Sequence, residues 1–178
     1  MKPVFLIGYM GCGKTTLGEA LASEMRLTFI DLDEHIEQMC GMSIPEIFDK
    51  MGENRFRQLE SQVLCDVAMR TDIIVGCGGG TPCYNDNMAL MNDTGTTVWL
   101  ITSAERITSR LLLPDQKIKR PKIIDIPDEA VLPIVKRELE ERQPWYMQAQ
   151  LQFDSTDIET AAATSRTAKR LANLLRQH

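Results

Sequence analysis

Short apolar runs alternate along the chain with segments whose apolar residues recur every three or four positions. "VFLI" (4–7) is a continuous apolar run of the kind a strand buried on both faces requires. Leu17, Leu21 and Met25 then fall four apart, which predicts a helix over 14–25 with one apolar face. "LTFIDLD" (27–33) reads as a second strand ending in acids, and Ser43 three places before Glu46 in "SIPEIF" (43–48) has the spacing of a capping box. Phe56, Leu59, Val63, Leu64 and Val67 mark a longer helix. "DIIVGCGGG" (72–80) is a strand running into glycines; "TTVWLIT" (96–102) is another, after which Ser103 caps a helix. No period is visible over 113–124. The helical stretch 128–149 is interrupted by Pro133 and Pro144, each suited to the first turn of a helix of its own. "LQFD" (151–154) predicts a last short strand, and 160–176 a final amphipathic helix. This alternation predicts the α/β class, a parallel sheet with helices on both faces. No repeat or linker divides the chain, so 1–178 reads as one domain.

Composition narrows the partners. A net charge of −5 argues against a nucleic-acid partner, which demands a broad positive surface, but leaves room for a small anion held by a few local cations. Cys12, Cys40, Cys65, Cys77 and Cys83 are odd in number and contain no C-x-x-C pair, so buried reduced thiols are expected rather than disulfides or zinc. "KPVFLIG" has none of the marks of a signal peptide, and no apolar run has the length of a membrane span. The expectation is a cytoplasmic protein with no membrane partner.

Candidate chemistry starts at "GYMGCGKTT" (8–16), where Gly8, Gly13, Lys14 and Thr15 satisfy G-x-x-x-x-G-K-[ST] between a strand and a helix. Glycines let backbone N–H groups approach phosphate oxygens, and the helix start aims unpaired amides at the same anion. Gly11, Cys12, Gly13, Lys14, Thr15 and Thr16 are the expected phosphate contacts, with Lys14 on the outer phosphates and the Thr15 hydroxyl on Mg²⁺. A phosphate loop alone does not separate kinases from motors and switches. The strand "IIV" leads into Gly76 and Cys77 without the carboxylate usual in motors, and the guanine-reading N-K-x-D is absent. The carboxylates fall instead at the end of the second strand, where Asp31 and Asp33, at i and i+2, would face one side at the carboxyl edge of the sheet.

With "FIDLDEHIE", "GMSIPEIFDKMGENRFRQLE", "GCGGGTP", "KRPK" and "ERQPWYMQA" in that order, the chain resembles the shikimate kinase family over nearly its whole length. The resemblance implies a P-loop kinase fold with a five-stranded parallel sheet flanked by helices on both faces, a mobile lid at about 113–124 and a small substrate-binding subdomain at about 33–61. It implies transfer of the γ-phosphoryl of MgATP to the 3-hydroxyl of shikimate, a step toward chorismate and the aromatic amino acids, by a monomer. By the same resemblance Asp33 meets the shikimate hydroxyls, and Arg57 and Arg142 hold the carboxylate. Gly79 offers a backbone contact, Asp31 reaches Mg²⁺ through water, and Arg120 closes over the ATP phosphates. The residue types suit those roles, since arginine supplies the planar double donor that a carboxylate accepts.

Plainer readings stand beside these. Asp31 and Asp33 could be a strand-end pair capping the next helix, and Arg57 a solvated helix residue paired with Glu53 or Glu60. "GGG" could be a loose turn, Arg142 one more cation in "KRELEERQ", and Lys117, Lys119, Arg120 and Lys122 a solvated loop. For Arg110, stacking near adenine and a helix-surface position are both open. "RPKI" departs from the usual family pattern at Lys122 and Ile123, "GGGTPC" departs after the glycines, and "FDSTD" lacks the arginine many members place there.

Overall fold

The computed structural model describes residues 1–118 and 121–178, with the backbone alone at 121 and 122. The apolar runs become β1 (Val4–Ile7), β2 (Thr28–Asp31), β3 (Ile73–Gly76), β4 (Thr96–Ile101) and β5 (Leu151–Asp154). Among the described residues these five pair, all parallel, in the order β2-β3-β1-β4-β5. The crossovers are supplied by α1 (Lys14–Met25), α2 (Leu32–Cys40), α3 (Ile44–Met51), α4 (Glu53–Ala68), α5 (Asn87–Thr94) and α6 (Ala104–Leu111). Short α7 (Pro114–Lys117) and α8 (Pro121–Ile124) precede α9 (Asp128–Tyr146), and α10 (Ala161–Gln177) closes the chain.

Central β1 is buried on both faces and splits its residues between two layers. Phe5 and Ile7 pack with Leu32, Ile36, Phe56, Leu64 and Val75 on one side. Val4 and Leu6 pack with Leu17, Leu21, Val98 and Leu171 on the other. A third apolar cluster joins Tyr9, Ile107, Leu111, Ile123, Val131 and Val135, so the atypical Ile123 is a core residue. Because β1, β2 and β3 are parallel and in register, the segments that follow them all emerge at one edge of the sheet.

Three expectations are corrected. The second strand stops at Asp31, and Leu32 opens α2. The stretch 128–149 is one helix through Tyr146 with both prolines inside it, rather than two helices. Val131, Val135 and Tyr146 hold one face of it against the protein, while Pro133 and Pro144 are exposed, as are Glu129 and Glu140, the residues four earlier that a proline leaves without its N–H donor. All five cysteines are unpaired, but only Cys12 and Cys77 are buried; Cys65 sits on the exposed face of α4. Among the described residues no helix is long and apolar enough to cross a membrane.

Candidate active site

The loop after β1 takes left-handed backbone at Gly8 (φ 142°), Gly11 (79°) and Gly13 (100°), which L side chains rarely adopt. Gly13 also caps α1, and a Cβ there would stand 2.1 Å from the Cδ1 of Ile158. The loop is braced from behind: Arg110 Nη1 donates to the Gly11 carbonyl (3.0 Å), and Ser155 Oγ donates to that of Cys12 (2.9 Å). In a trans peptide the Gly13 N–H points opposite to that Cys12 carbonyl, away from Ser155. Lys14 folds back over the loop, its Nζ donating to the carbonyls of Gly8 (2.7 Å) and Tyr9 (3.0 Å). Thr15 and Thr16 are exposed in the first turn of α1. Arg110 is no free helix-surface cation: its side chain is 14% exposed, pairs with Glu159 (3.0 Å) and ties the phosphate loop to the Thr156 carbonyl (2.8 Å).

Asp31 and Asp33 come together, but not by strand alternation. Asp31 is the N-cap of α2, its Oδ1 accepting from the N–H groups of Asp33 (3.1 Å) and Glu34 (3.4 Å). Its other oxygen, Oδ2, accepts from Thr15 Oγ1 at 2.9 Å, joining β2 to the phosphate loop. Asp33, in the first helical turn, is half-buried. Burial, then the negative charges of Asp31 and Glu60, push its pKa from 3.8 up to about 6, against the pull of Lys14 and Arg57.

The glycine run after β3 is where the distant groups meet. A Cβ on Gly78 would stand 2.8 Å from Asp33 Oδ1, one on Gly79 3.3 Å from Arg142 Nη1, and one on Gly80 2.7 Å from Arg57 Nη2. The run is therefore no loose turn; three successive missing side chains leave space for three charged ones from distant parts of the chain. Arg57, whose side chain is 12% exposed, pairs with both carboxylates expected from its spacing, Glu60 (2.8 Å) and Glu53 (3.4 Å), and lies 4.1 Å over the Tyr84 ring. It is thus paired but not solvated, and its buried Nε has no hydrogen-bond partner among the described residues. Burial works against its charge, and Glu60, Tyr84 and Glu53 more than restore it. Arg142 pairs with Glu138 at 2.5 Å, and Tyr146 beside it donates its hydroxyl to the Gly79 carbonyl at 2.6 Å. Gly80 has ordinary backbone angles (φ −94°), so Gly80→Ala adds only a methyl group against the Arg57 guanidinium. It is expected to leave folding intact within about 1 kcal/mol. If Arg57 binds substrate, that displacement raises the substrate KM about tenfold, the loss of one well-placed ion-pair contact. Thermal unfolding beside steady-state kinetics checks both.

The family model described as shikimate kinase matches residues 10–173. The chain belongs to the shikimate kinase family. A shikimate kinase from Bacteroides fragilis is 39% identical over 178 residues, covering 100% of this chain and 98% of its own. The solved shikimate kinase from Bacteroides thetaiotaomicron superposes with a TM-score of 0.94 at 38% identity, covering 98% of both chains. That of Acinetobacter baumannii, solved in complex with shikimate, superposes with a TM-score of 0.83 at 29% identity over 99% of this chain and 94% of that one.

Within this shikimate kinase fold, every site residue expected from the sequence lies at the one sheet edge except Arg120, which is outside the described residues. Three side chains that hold the site were not singled out for it. Glu60, 1% exposed, joins Arg57 to the Thr81 hydroxyl (2.5 Å), and so gives the atypical threonine after the glycines a partner. Glu138 joins Arg142 to the Tyr9 hydroxyl (3.2 Å), and Tyr146 anchors Gly79. Glu60 three residues after Arg57 and Glu138 four before Arg142 were visible as helical charge pairs. Nothing local marks Tyr9.

Proposed function

We propose that this chain transfers the γ-phosphoryl group of ATP to the 3-hydroxyl of shikimate, yielding shikimate 3-phosphate and ADP in aromatic amino-acid biosynthesis. The observation that carries the reading is the approach of Asp33, Arg142 and Arg57 to the three consecutive glycines 78–80, beside a phosphate loop. Two arginines and one carboxylate complement a small acid bearing hydroxyls, and the orphaned Arg57 Nε is a donor with capacity for a ligand. In this assignment Arg57 and Arg142 hold the shikimate carboxylate, the Gly79 backbone borders the ring, and ionised Asp33 accepts the hydrogen bond of the attacking hydroxyl.

Gly11, Cys12, Gly13, Lys14, Thr15 and Thr16 cradle the ATP phosphates. Lys14 leaves the carbonyls of Gly8 and Tyr9 for the β- and γ-phosphate oxygens, and Arg120 adds a second positive charge there. Among the described residues no three His, Cys, Asp or Glu group as a self-sufficient metal site. Mg²⁺ carried on a nucleotide needs only one or two protein groups, and Thr15 Oγ1 as a direct ligand with Asp31 Oδ2, 2.9 Å from it, reaching the ion through water would fit that role. When bound, the ion neutralises charge on the phosphate oxygens. Alignment and charge neutralisation are the protein's main contribution to such a transfer.

A coupled ADP-release assay offering shikimate, gluconate and nucleoside monophosphates in turn tests the reading. Turnover is expected on shikimate alone; turnover on gluconate alone overturns it.

A further inference from the structure

Two of the groups beside Arg142, apart from the Tyr146 hydroxyl, have no place in the assignment above. Glu138 and Arg142 stand one turn apart on α9, where i and i+4 share a face. The Oε2 of Glu138 accepts from Arg142 Nη2 at 2.5 Å and from the Tyr9 hydroxyl at 3.2 Å. The Arg142 guanidinium also lies 5.1 Å from the centre of the Tyr9 ring. Tyr9 is 1% exposed and belongs to the phosphate loop, 129 residues away in sequence.

Neighbouring Arg137–Glu141 shows what an ordinary pair on this helix is like: 3.8 Å apart, with side chains 67% and 65% exposed. Such pairs contribute little. In the Glu138–Arg142 pair both side chains are 20% exposed, and the carboxylate is shared with a buried phenol. A guanidinium meets a carboxylate best through two parallel N–H···O bonds, and a plane fixed beforehand loses less entropy in forming them. Here Nη2 is committed to Glu138 and the face to Tyr9, while Nη1 lies 3.3 Å from where a Cβ on Gly79 would stand.

We infer that Glu138 is a positioning residue that fixes the plane of Arg142 for the substrate carboxylate, with Tyr9 of the phosphate loop as its second anchor. This rests on the assignment of Arg142 to that carboxylate.

The test is a set of steady-state kinetics on single and double variants. Glu138→Ala is expected to raise the KM for shikimate about tenfold, leaving the KM for ATP within about twofold and kcat within about threefold, the pattern of lost uniform binding. Glu138→Gln keeps an oxygen that accepts both bonds and is expected to restore the KM to within about threefold of wild type. Against Arg142→Ala, adding Glu138→Ala should change nothing further, because coupled residues are not additive. Were Glu138→Ala not to fold, Tyr9→Phe carries the cycle, with a rise of about threefold that vanishes in the Arg142→Ala background. An unchanged KM for shikimate in Glu138→Ala, a KM for ATP raised as much, or full additivity with Arg142→Ala overturns the inference. If Arg142→Ala itself leaves the shikimate KM unchanged, the parent assignment fails instead, whatever Glu138 does.

Discussion

Asp33→Asn is expected to abolish turnover and, at the same time, to stabilise the protein without ligands. The first effect follows from the proposed role: an amide nitrogen or a weakly basic amide oxygen cannot replace the ionised carboxylate facing the attacking hydroxyl, and kcat should fall at least about 10³-fold. The second follows from where the carboxylate lies. Its folded pKa of about 6 stands above the 3.8 of an exposed aspartate, so the folded state holds that proton more tightly than the unfolded chain does. The cost of burying the charge is therefore absent below pH 3.8, grows as pH rises toward about 6, and is a full penalty at neutral pH. At about 1.4 kcal/mol for each pH unit between the two values, that penalty is about 2–3 kcal/mol. Denaturant unfolding at pH 7.5 should show the Asn variant more stable by about that amount, with the gain shrinking toward pH 5. Nucleotide binding should survive. In the wild type, kcat/KM for shikimate should decline as pH falls below about 6. An Asn variant with near-normal rate contradicts the role of Asp33, and one that is less stable contradicts the electrostatic account of its surroundings.

Lys14→Ala is expected to damage both transfer and nucleotide affinity: about 10³-fold in kcat and about tenfold in the KM for ATP, typical of losing a charge aimed at the migrating group. It should do so with little change in stability, since the Lys14 ammonium merely bridges the carbonyls of Gly8 and Tyr9 without ligand. A second consequence separates it from a general disruption of the loop. Lys14 is one of the two cations that lower the Asp33 pKa, so its removal should move the acid limb of the residual kcat/KM profile to higher pH. A profile that does not move, or a KM for ATP that stays at the wild-type value, contradicts this placement of the lysine.

The parts of the fold and site that were legible in the sequence are those written locally. β1 and the phosphate loop declare themselves because an apolar run, three glycines at fixed spacing and one lysine each act over a few residues. The pairing of Arg57 with Glu53 and Glu60 was readable for the same reason. Asp31 and Asp33 were found by pattern, but the geometry first assigned to them was wrong. Asp31 accepts two N–H groups of the following turn, and that capping bends the chain into α2 before Asp33 is reached. Pro133 and Pro144 suggest a break in α9 because proline removes a local bond, whereas Val131, Val135 and Tyr146 bury one face of a single helix and outweigh that loss. What stayed hidden depends on partners far apart in the chain. Tyr9 meets Glu138 across 129 residues, Thr81 meets Glu60 across 21, and Tyr146 reaches Gly79 across 67. No window short enough to show a period contains both ends of such contacts.

The most direct test of the central claim is a crystal structure of the protein with ADP and shikimate bound. The account predicts the ring against Gly78–Gly80, its carboxylate on the guanidinium groups of Arg57 and Arg142, and a hydroxyl on Asp33 directed toward Lys14. A carboxylate that meets neither arginine, or a ring bound away from the glycines, would contradict it.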